Sequence, residues 1–156
     1  MKSLRDGRHM LVTGDFGIGK KRLIQEARLL LAGERTRLDF TPVDPPWPRE
    51  AMLTIQCPVP RGACLREVAE VLFRNGDLRV ETAEERDDWV AVRSGFTGLG
   101  LDGMESAVIR ALAGSSRRYI AFVSGLERIT VPCTKFLDAL LHLTTVCGSA
   151  TATKDV

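Results

Sequence analysis

The sequence predicts an α/β fold with three layers, α/β/α, built around a mostly parallel sheet of about four strands. Short apolar runs alternate along the chain with segments whose apolar residues recur at helical spacing. Such alternation is typical of strands joined by crossover helices. A glycine-rich turn stands between the first apolar run and the first helical segment. With 156 residues, of which 44% are hydrophobic, the chain is expected to form one domain.

Each element follows from local pattern. Strands are predicted at residues 9–12, 51–57, 119–123 and 143–147. A helix is predicted from Lys20 to a stop at Gly33, with its apolar stripe on Leu23, Ile24, Ala27, Leu30 and Leu31. Further helices are predicted over residues 65–73, 102–113 and 132–141. Between them, residues 87–92 fit either a helix end or a short strand, and Gly95, Gly98, Gly100 and Gly103 indicate a flexible segment.

Composition narrows the class of protein. The net charge of +2 is too small to indicate nucleic-acid binding alone. Four cysteines without a Cys-x-x-Cys pair, and only two histidines, argue against a structural zinc site, so no metal site is predicted. No apolar run approaches the length of a membrane span. We expect a reduced, cytoplasmic protein with buried thiols, no membrane partner and a flexible arm over residues 1–8.

The glycine-rich turn fits the phosphate-binding pattern G-x-x-x-x-G-K-[ST] in all but its last position. It comprises Gly14, Asp15, Phe16, Gly17, Ile18, Gly19, Lys20 and Lys21. In this pattern, glycines turn backbone N–H groups toward phosphate oxygens, and the lysine reaches the β and γ phosphates. The strand before the turn and the helix after it provide the expected setting. The turn therefore predicts a nucleotide site, against the alternative of a glycine turn that has lost its ligand.

The last position of the pattern departs from it. Lys21 stands where Ser or Thr normally supplies a hydroxyl to Mg²⁺, and an ammonium repels that ion. Lys21 could instead replace part of the metal's charge on the phosphates. The predicted ligand is therefore ATP, with Mg²⁺ as a cofactor whose usual protein ligands are missing.

A second set of acids is also missing. P-loop hydrolases carry an aspartate and a glutamate after the third strand, where they steady Mg²⁺ and activate water. Here Ser124 and Gly125 occupy those two positions. Glu127, two residues on, is a weak candidate for a substitute base, and a solvated turn residue is the alternative. The chain therefore has the pattern of an ATPase fold, but hydrolysis is not expected, and whether it is an enzyme stays open.

The order of these features resembles the TniB/TnsC family of transposition ATPases, a branch of the AAA+ P-loop NTPases. The resemblance extends from Met10 to Val156. It rests on the phosphate loop with Leu23-Ile24-Gln25-Glu26, on Leu53–Pro58 as a second strand ending in proline, and on residues 119–129 as a Walker B segment without its acids. Val146-Cys147-Gly148-Ser149 resembles the strand that carries the sensor 1 residue, with Ser149 in that place.

The resemblance implies a sheet order of 5-1-4-3-2, of which residues 9–156 supply strands 1 to 4. It then implies a domain truncated after the sensor 1 strand, without the fifth strand, the arginine finger and the C-terminal helical lid. It also implies DNA, a transposase and further copies of the chain as partners. Candidate DNA contacts are Lys2, Arg5, Arg8, Arg117 and Arg118, with ordinary surface charge as the alternative.

Three functions stay open from the sequence. The first is an ATP-binding accessory protein of DNA transposition that hydrolyses poorly. The second is a degenerate P-loop domain that acts as a non-enzymatic protein-interaction module. The third is an active ATPase whose missing groups come from a partner subunit. The two departures at Lys21 and at Ser124–Gly125 favour the first and second over the third.

Overall fold

The computed structural model describes residues 4, 6–15, 17, 19–34, 42, 44–96 and 100–151. These residues form an α/β fold around one four-stranded sheet in which all strand pairs are parallel. The strands are β1 (Met10–Gly14), β2 (Met52–Gln56), β3 (Ile120–Ser124) and β4 (Thr145–Thr151). Their spatial order is β1-β4-β3-β2, which is the order expected for strands 1 to 4.

Five α-helices connect the strands within the described residues. They are α1 (Lys20–Leu31), α2 (Arg61–Arg74), α3 (Ala83–Arg93), α4 (Asp102–Gly114) and α5 (Val131–Leu143). Single 3₁₀ turns lie at Arg49–Ala51 before β2 and at Leu126–Arg128 after β3. The predicted helix from Lys20, its stop near Gly33 and the helix that starts at residue 102 are confirmed.

The two faces of the sheet bury different side chains, which produces the three layers. Ile120 and Phe122 of β3 pack with Ile24 and Leu31 of α1 on one face. Ala121 and Val123, between them in sequence, pack into the larger cluster formed with α2, α3, α4 and α5. Successive strand residues point to opposite faces, so a continuous apolar strand serves both layers.

Residues 77–103 differ most from the sequence prediction. Residues 87–92 form the C-terminal half of α3, so the helix-end alternative is confirmed and the short strand is wrong. Thr82 begins this helix with a capping box: its hydroxyl accepts the Glu85 N–H at 3.1 Å, and the Glu85 carboxylate accepts the Thr82 N–H at 3.2 Å. The hydrogen bond from Arg110, opposed by desolvation, lowers the Glu85 pKa to about 2, so the carboxylate stays ionised and holds α3 to α4.

Gly103 was counted among the glycines of a flexible segment, although it also falls within the helix predicted over residues 102–113. It lies in the first turn of α4, so the helix is the correct prediction at this residue. A Cβ at this position would lie 2.9 Å from both Asp88 Oδ2 and Glu84 Cγ of α3. The next residue, Met104, donates its N–H to Asp88 Oδ2 at 3.0 Å. Gly103 therefore permits close packing of two helices rather than flexibility. Gly98 lies outside the described residues.

The ends of several strands differ by a few residues from the prediction. β4 begins at Thr145 and continues to Thr151, so Gly148 and Ser149 lie inside a strand that was expected to end at residue 147. Leu143, predicted in that strand, is the last residue of α5. In the predicted arm, Leu4 is completely buried in the cluster with Leu31 and Phe122, which anchors the segment at that residue. Within the described residues, no helix is both long and apolar enough to span a membrane.

Candidate phosphate-binding site

A cavity of about 1080 Å³ lies at the edge of the sheet where the strands end. Because the sheet is parallel, the carboxyl ends of β2, β3 and β4 and the segment after β1 meet there, as in other open α/β sheets that bind ligands. The described residues that line it are Gly17, Gly19, Lys20, Lys21, Arg22, Gln25, Gln56, Cys57, Pro58, Ser124, Gly125, Glu127, Arg128, Ser149 and Thr151. The glycine loop and the Walker B and sensor 1 positions, far apart in sequence, thus face one cavity.

The glycine loop leads directly into the first turn of α1. Gly17 and Gly19 both adopt left-handed backbone conformations, with φ of 83° and 85°. No atom lies within 4 Å of a Cβ built at either glycine, so conformation rather than space requires glycine there. Gly19 caps α1 without a side-chain hydrogen bond, which leaves the first N–H groups of the helix directed toward the cavity. Phe16 and Ile18 lie outside the described residues.

Lys20 bends back across the loop that precedes it. Its Nζ donates to the carbonyl oxygen of Gly14 at 3.0 Å and to the carbonyl oxygen of Asp15. An ammonium has three donors, so one remains for another acceptor beyond these two bonds. Lys20 lines the cavity while Asp15 does not, so the cation and not the neighbouring carboxylate faces a ligand there.

The cavity is electrostatically positive. Among the described lining residues, Lys20, Lys21, Arg22 and Arg128 are cationic and only Glu127 is anionic. The exposed N-terminus of α1 adds the positive end of a helix dipole. A concave site of one charge sign concentrates ligands of the other sign. The arrangement therefore favours a multiply charged anion.

The positions that follow β3 approach the sensor 1 position. The backbone N–H of Gly125 is 3.4 Å from the Oγ of Ser149, which is buried in β4. The Ser124 carbonyl accepts the Cys57 N–H at 2.9 Å and joins the ends of β2 and β3. Gly125 has φ of 71°, and a Cβ there would lie 2.8 Å from both the Cys57 carbonyl oxygen and Arg128 Nη2. A side chain at position 125 is therefore excluded by the backbone carbonyl of Cys57 as well as by the side chain of Arg128.

Glu127 lines the cavity, yet its carboxylate is already engaged. Its Oε2 accepts the Thr151 N–H at 2.9 Å, and its Oε1 lies 3.7 Å from Arg128 Nε. Desolvation raises the pKa of Glu127, but the hydrogen bonds from Thr151 outweigh it and the net pKa is below its usual range. A general base works best with a pKa near neutrality. This carboxylate is a weak base held by the backbone of β4.

The residues present do not fit the usual Mg²⁺ site of a P-loop hydrolase. Mg²⁺ prefers carboxylate and hydroxyl oxygens in octahedral geometry. Lys21 presents an ammonium where a hydroxyl is needed, Ser149 already accepts the Gly125 N–H, and Glu127 is held by Thr151. Across the described residues, no group of three or more His, Cys, Asp or Glu could hold a metal ion. The described residues therefore do not supply the protein ligands that Mg²⁺ has in a P-loop hydrolase.

The four cysteines are all buried and unpaired, which confirms the prediction of buried thiols. Burial, with a further contribution from Cys133, raises the pKa of the Cys57 thiol at the cavity wall. Burial also raises the pKa of Cys64, and it raises the pKa of Cys147 to about 11. These thiols stay protonated near neutral pH, so Cys57 does not offer the cavity a nucleophile.

The predicted DNA-contact residues lie away from the cavity. Arg8 precedes β1, and Arg117 and Arg118 precede β3, so all three lie at the amino ends of the strands. Arg117 Nε is 3.6 Å from Asp77 Oδ2, and the Arg118 guanidinium lies 5.3 Å from the centre of the Trp47 ring. Lys2 and Arg5 lie outside the described residues. Three of the five candidates therefore lie at the edge of the sheet formed by the amino ends of the strands. DNA binding by these residues stays a prediction.

Sequence reasoning missed several cavity residues, namely Arg22, Gln25, Gln56 and Arg128. Gln56 is the last residue of β2, and a polar residue ending a parallel strand is a signal that could have identified it. Arg128 belongs to no recognisable motif, since its place in the cavity depends on the 3₁₀ turn after Gly125.

Comparisons of this chain with protein-family models, with curated proteins and with solved structures find no match.

Proposed function

We propose that this protein binds ATP through its phosphate chain and acts as a TniB/TnsC-like accessory protein of DNA transposition. ATP serves as a bound ligand and is hydrolysed poorly. The observation that carries the nucleotide part is the positive cavity. In it, an uncapped helix N-terminus and Lys20 and Lys21 meet the carboxyl ends of the strands. This combination of N–H groups, lysine and cavity is the chemistry that recognises polyphosphates. The transposition part rests on the family resemblance alone.

Impaired hydrolysis is part of the proposal because the acid–base groups do not suit the reaction. Ser124 and Gly125 supply no carboxylate, and the one acidic lining residue, Glu127, is held ionised by Thr151. Water activation and metal positioning each contribute substantially to phosphoryl transfer. The absence of both water activation and metal positioning favours a protein that binds ATP without hydrolysing it efficiently.

The test is a titration of the protein with ATP and with an uncleavable ATP analogue, followed by a hydrolysis assay on the saturated complex. We expect saturable binding of both ligands and phosphate release no faster than in buffer. Binding with rapid turnover would contradict the hydrolysis-impaired part. It would then favour the alternative of an active ATPase. The absence of saturable binding would overturn the nucleotide proposal itself.

A second candidate, the non-enzymatic interaction module, is favoured by the state of Lys20. Its ammonium is bonded to two carbonyls of its own loop, so the loop is held together without any ligand. In that case the glycine loop would be a structural turn retained for stability. The two candidates differ in what loss of the Lys20 ammonium does: it should weaken ATP binding in a nucleotide site and leave ATP affinity unchanged in a structural turn.

DNA binding is proposed at the edge that carries Arg8, Arg117 and Arg118, on the side of the sheet away from the cavity. Cations that contact phosphates release counterions, so affinity should fall steeply as salt rises. The triple Arg→Gln variant at these positions should weaken DNA binding and lower the salt slope by up to about 3. The matched control is Arg86→Gln, an exposed arginine of α3. An unchanged slope in the triple variant would exclude this edge.

A further inference from the structure

The feature that carries a further inference is the place of the Arg128 side chain beside Gly125. A Cβ built at Gly125 would lie 2.8 Å from Arg128 Nη2 and 3.2 Å from Arg128 Nε. The guanidinium therefore covers the point from which a side chain at position 125 would project into the cavity. In P-loop hydrolases a catalytic carboxylate projects from this position. Here its space is taken by a cation, so the charge at this point of the site is reversed.

The guanidinium of Arg128 is available to bind an anionic ligand. The 3₁₀ turn Leu126–Arg128 holds its backbone, with the Arg128 N–H bonded to the Gly125 carbonyl at 2.9 Å. Its side chain is 61% exposed, and its ion pair with Glu127 is long, with 3.7 Å between Arg128 Nε and Glu127 Oε1. An exposed ion pair of this length contributes little and is readily exchanged for a better acceptor. Arginine also offers a planar set of donors that matches phosphate oxygens.

Lys21 supplies a second cation at the same cavity. It follows Lys20 in the first turn of α1 and stands where a metal-binding hydroxyl is usual. In P-loop hydrolases Mg²⁺ neutralises part of the negative charge on the β and γ phosphates. Lys21 and Arg128 together carry two positive charges, which equals the charge of one Mg²⁺. Both would repel a metal ion brought in with the nucleotide.

We infer that Lys21 and Arg128 replace Mg²⁺ in this site, so that the protein selects a nucleoside triphosphate in its metal-free form. This inference rests on the proposed function, since it concerns the same cavity. It differs from that proposal in a measurable property: metal should weaken ATP binding, whereas in a metal-dependent site metal strengthens it. The predicted order of ligands is free triphosphate above its Mg²⁺ complex.

The experiment is a titration of the full chain with ATP, in EDTA and in excess Mg²⁺, for the wild type and three variants. The variants are Arg128→Gln, Lys21→Thr and the control Arg86→Gln. We expect the wild type to bind ATP more tightly in EDTA than in Mg²⁺. Arg128→Gln should weaken binding in EDTA by about tenfold, the loss of one charge-assisted hydrogen bond. Lys21→Thr should bind more tightly in Mg²⁺ than in EDTA, and Arg86→Gln should match the wild type.

The outcomes separate this inference from the proposed function. Wild-type binding that Mg²⁺ strengthens or leaves unchanged, or binding that Arg128→Gln leaves unchanged in EDTA, would overturn the metal replacement and keep the nucleotide site. Absence of ATP binding in both conditions would overturn the proposed function and the inference with it. Thermal unfolding of each variant in the absence of ATP checks that a loss of binding is not a loss of folding.

Discussion

Lys20→Ala should weaken ATP binding by about 100-fold, the upper end of the effect of removing one charge-assisted hydrogen bond to phosphate. Lys20 is the residue of the loop whose type is most directly tied to phosphate recognition, and it lines the cavity beside the open N-terminus of α1. Binding is measured by titration with ATP at constant ionic strength, because a charge change also alters the general field of the cavity. Lys135→Ala, on the exposed side of α5, is the matched control and should bind as the wild type does.

The same variant distinguishes the interaction module from the nucleotide site. Lys20→Ala removes two hydrogen bonds, to the Gly14 and Asp15 carbonyls, each contributing about 1 kcal/mol or less to stability at this part-exposed place. If the loop is only a structural turn, the variant should show this small loss in the free energy of unfolding and no change in ATP affinity. A 100-fold loss of affinity with nearly unchanged stability is the result expected of a ligand site.

The sequence predicted best those parts of the fold in which neighbouring residues determine the structure. The helix from Lys20 was predicted correctly because the apolar stripe with Ile24, Ala27 and Leu31 is complete and a glycine follows it. The four strands were also predicted, since each is a short apolar run; β2, β3 and β4 are largely buried, whereas β1 lies at the edge of the sheet and is half-buried. In these segments local pattern and tertiary packing agree.

The errors occur where a distant contact decides the structure. Gly103 suggests flexibility by its type, yet it lies in a helix because α3 approaches too closely for a side chain. Gly148 suggests a strand end, yet β4 continues through it, and Leu126 Cδ1 occupies the space where its Cβ would lie, at 2.6 Å. The local sequence around these glycines determines neither the approach of α3 nor the position of Leu126.

The candidate site shows the same division. The loop with Lys20 and the Walker B and sensor 1 positions were predicted from motif and resemblance. The structure brings most of the described ones to one cavity, whereas Gly14 and Asp15 do not line it. Arg128 was missed because it matches no motif, and its role depends on where the 3₁₀ turn after β3 directs it. The sequence showed that a carboxylate is absent at Gly125, but only the structure shows that a cation takes its space.

Restoring the missing carboxylate with Gly125→Glu should destabilise the fold by about 2–4 kcal/mol rather than create an ATPase. Gly125 has φ of 71°, a conformation that costs a side chain about 1–2 kcal/mol. Its Cβ would also lie 2.8 Å from the Cys57 carbonyl oxygen, a backbone atom fixed by β2. Stability is measured by denaturant unfolding, and hydrolysis is followed in the triple variant Lys21→Thr, Ser124→Asp, Gly125→Glu, where no turnover is expected.

Two matched variants separate the causes. Ser124→Asp, one residue earlier in the extended part of β3 and partly exposed at the cavity, should be tolerated with a much smaller loss of stability. Gly125→Ala should lose most of what Gly125→Glu loses, because the strain lies in the backbone and the Cβ. A Gly125→Glu protein as stable as the wild type would contradict this account, and so would turnover in the triple variant.

Combining Gly125→Ala with Arg128→Gln then identifies which neighbour excludes a side chain. The Arg128 guanidinium is the end of a flexible side chain and can move aside, whereas the Cys57 carbonyl cannot move without displacing β2, which is bonded to β3 through Cys57 N–H and Ser124 O at 2.9 Å. The double variant should therefore recover only a minor part of the stability lost by Gly125→Ala alone. In that case the backbone itself excludes a side chain at position 125, and substituting Arg128 alone does not make room for a carboxylate. Full recovery would instead place the obstruction on Arg128 and make the site convertible by two substitutions.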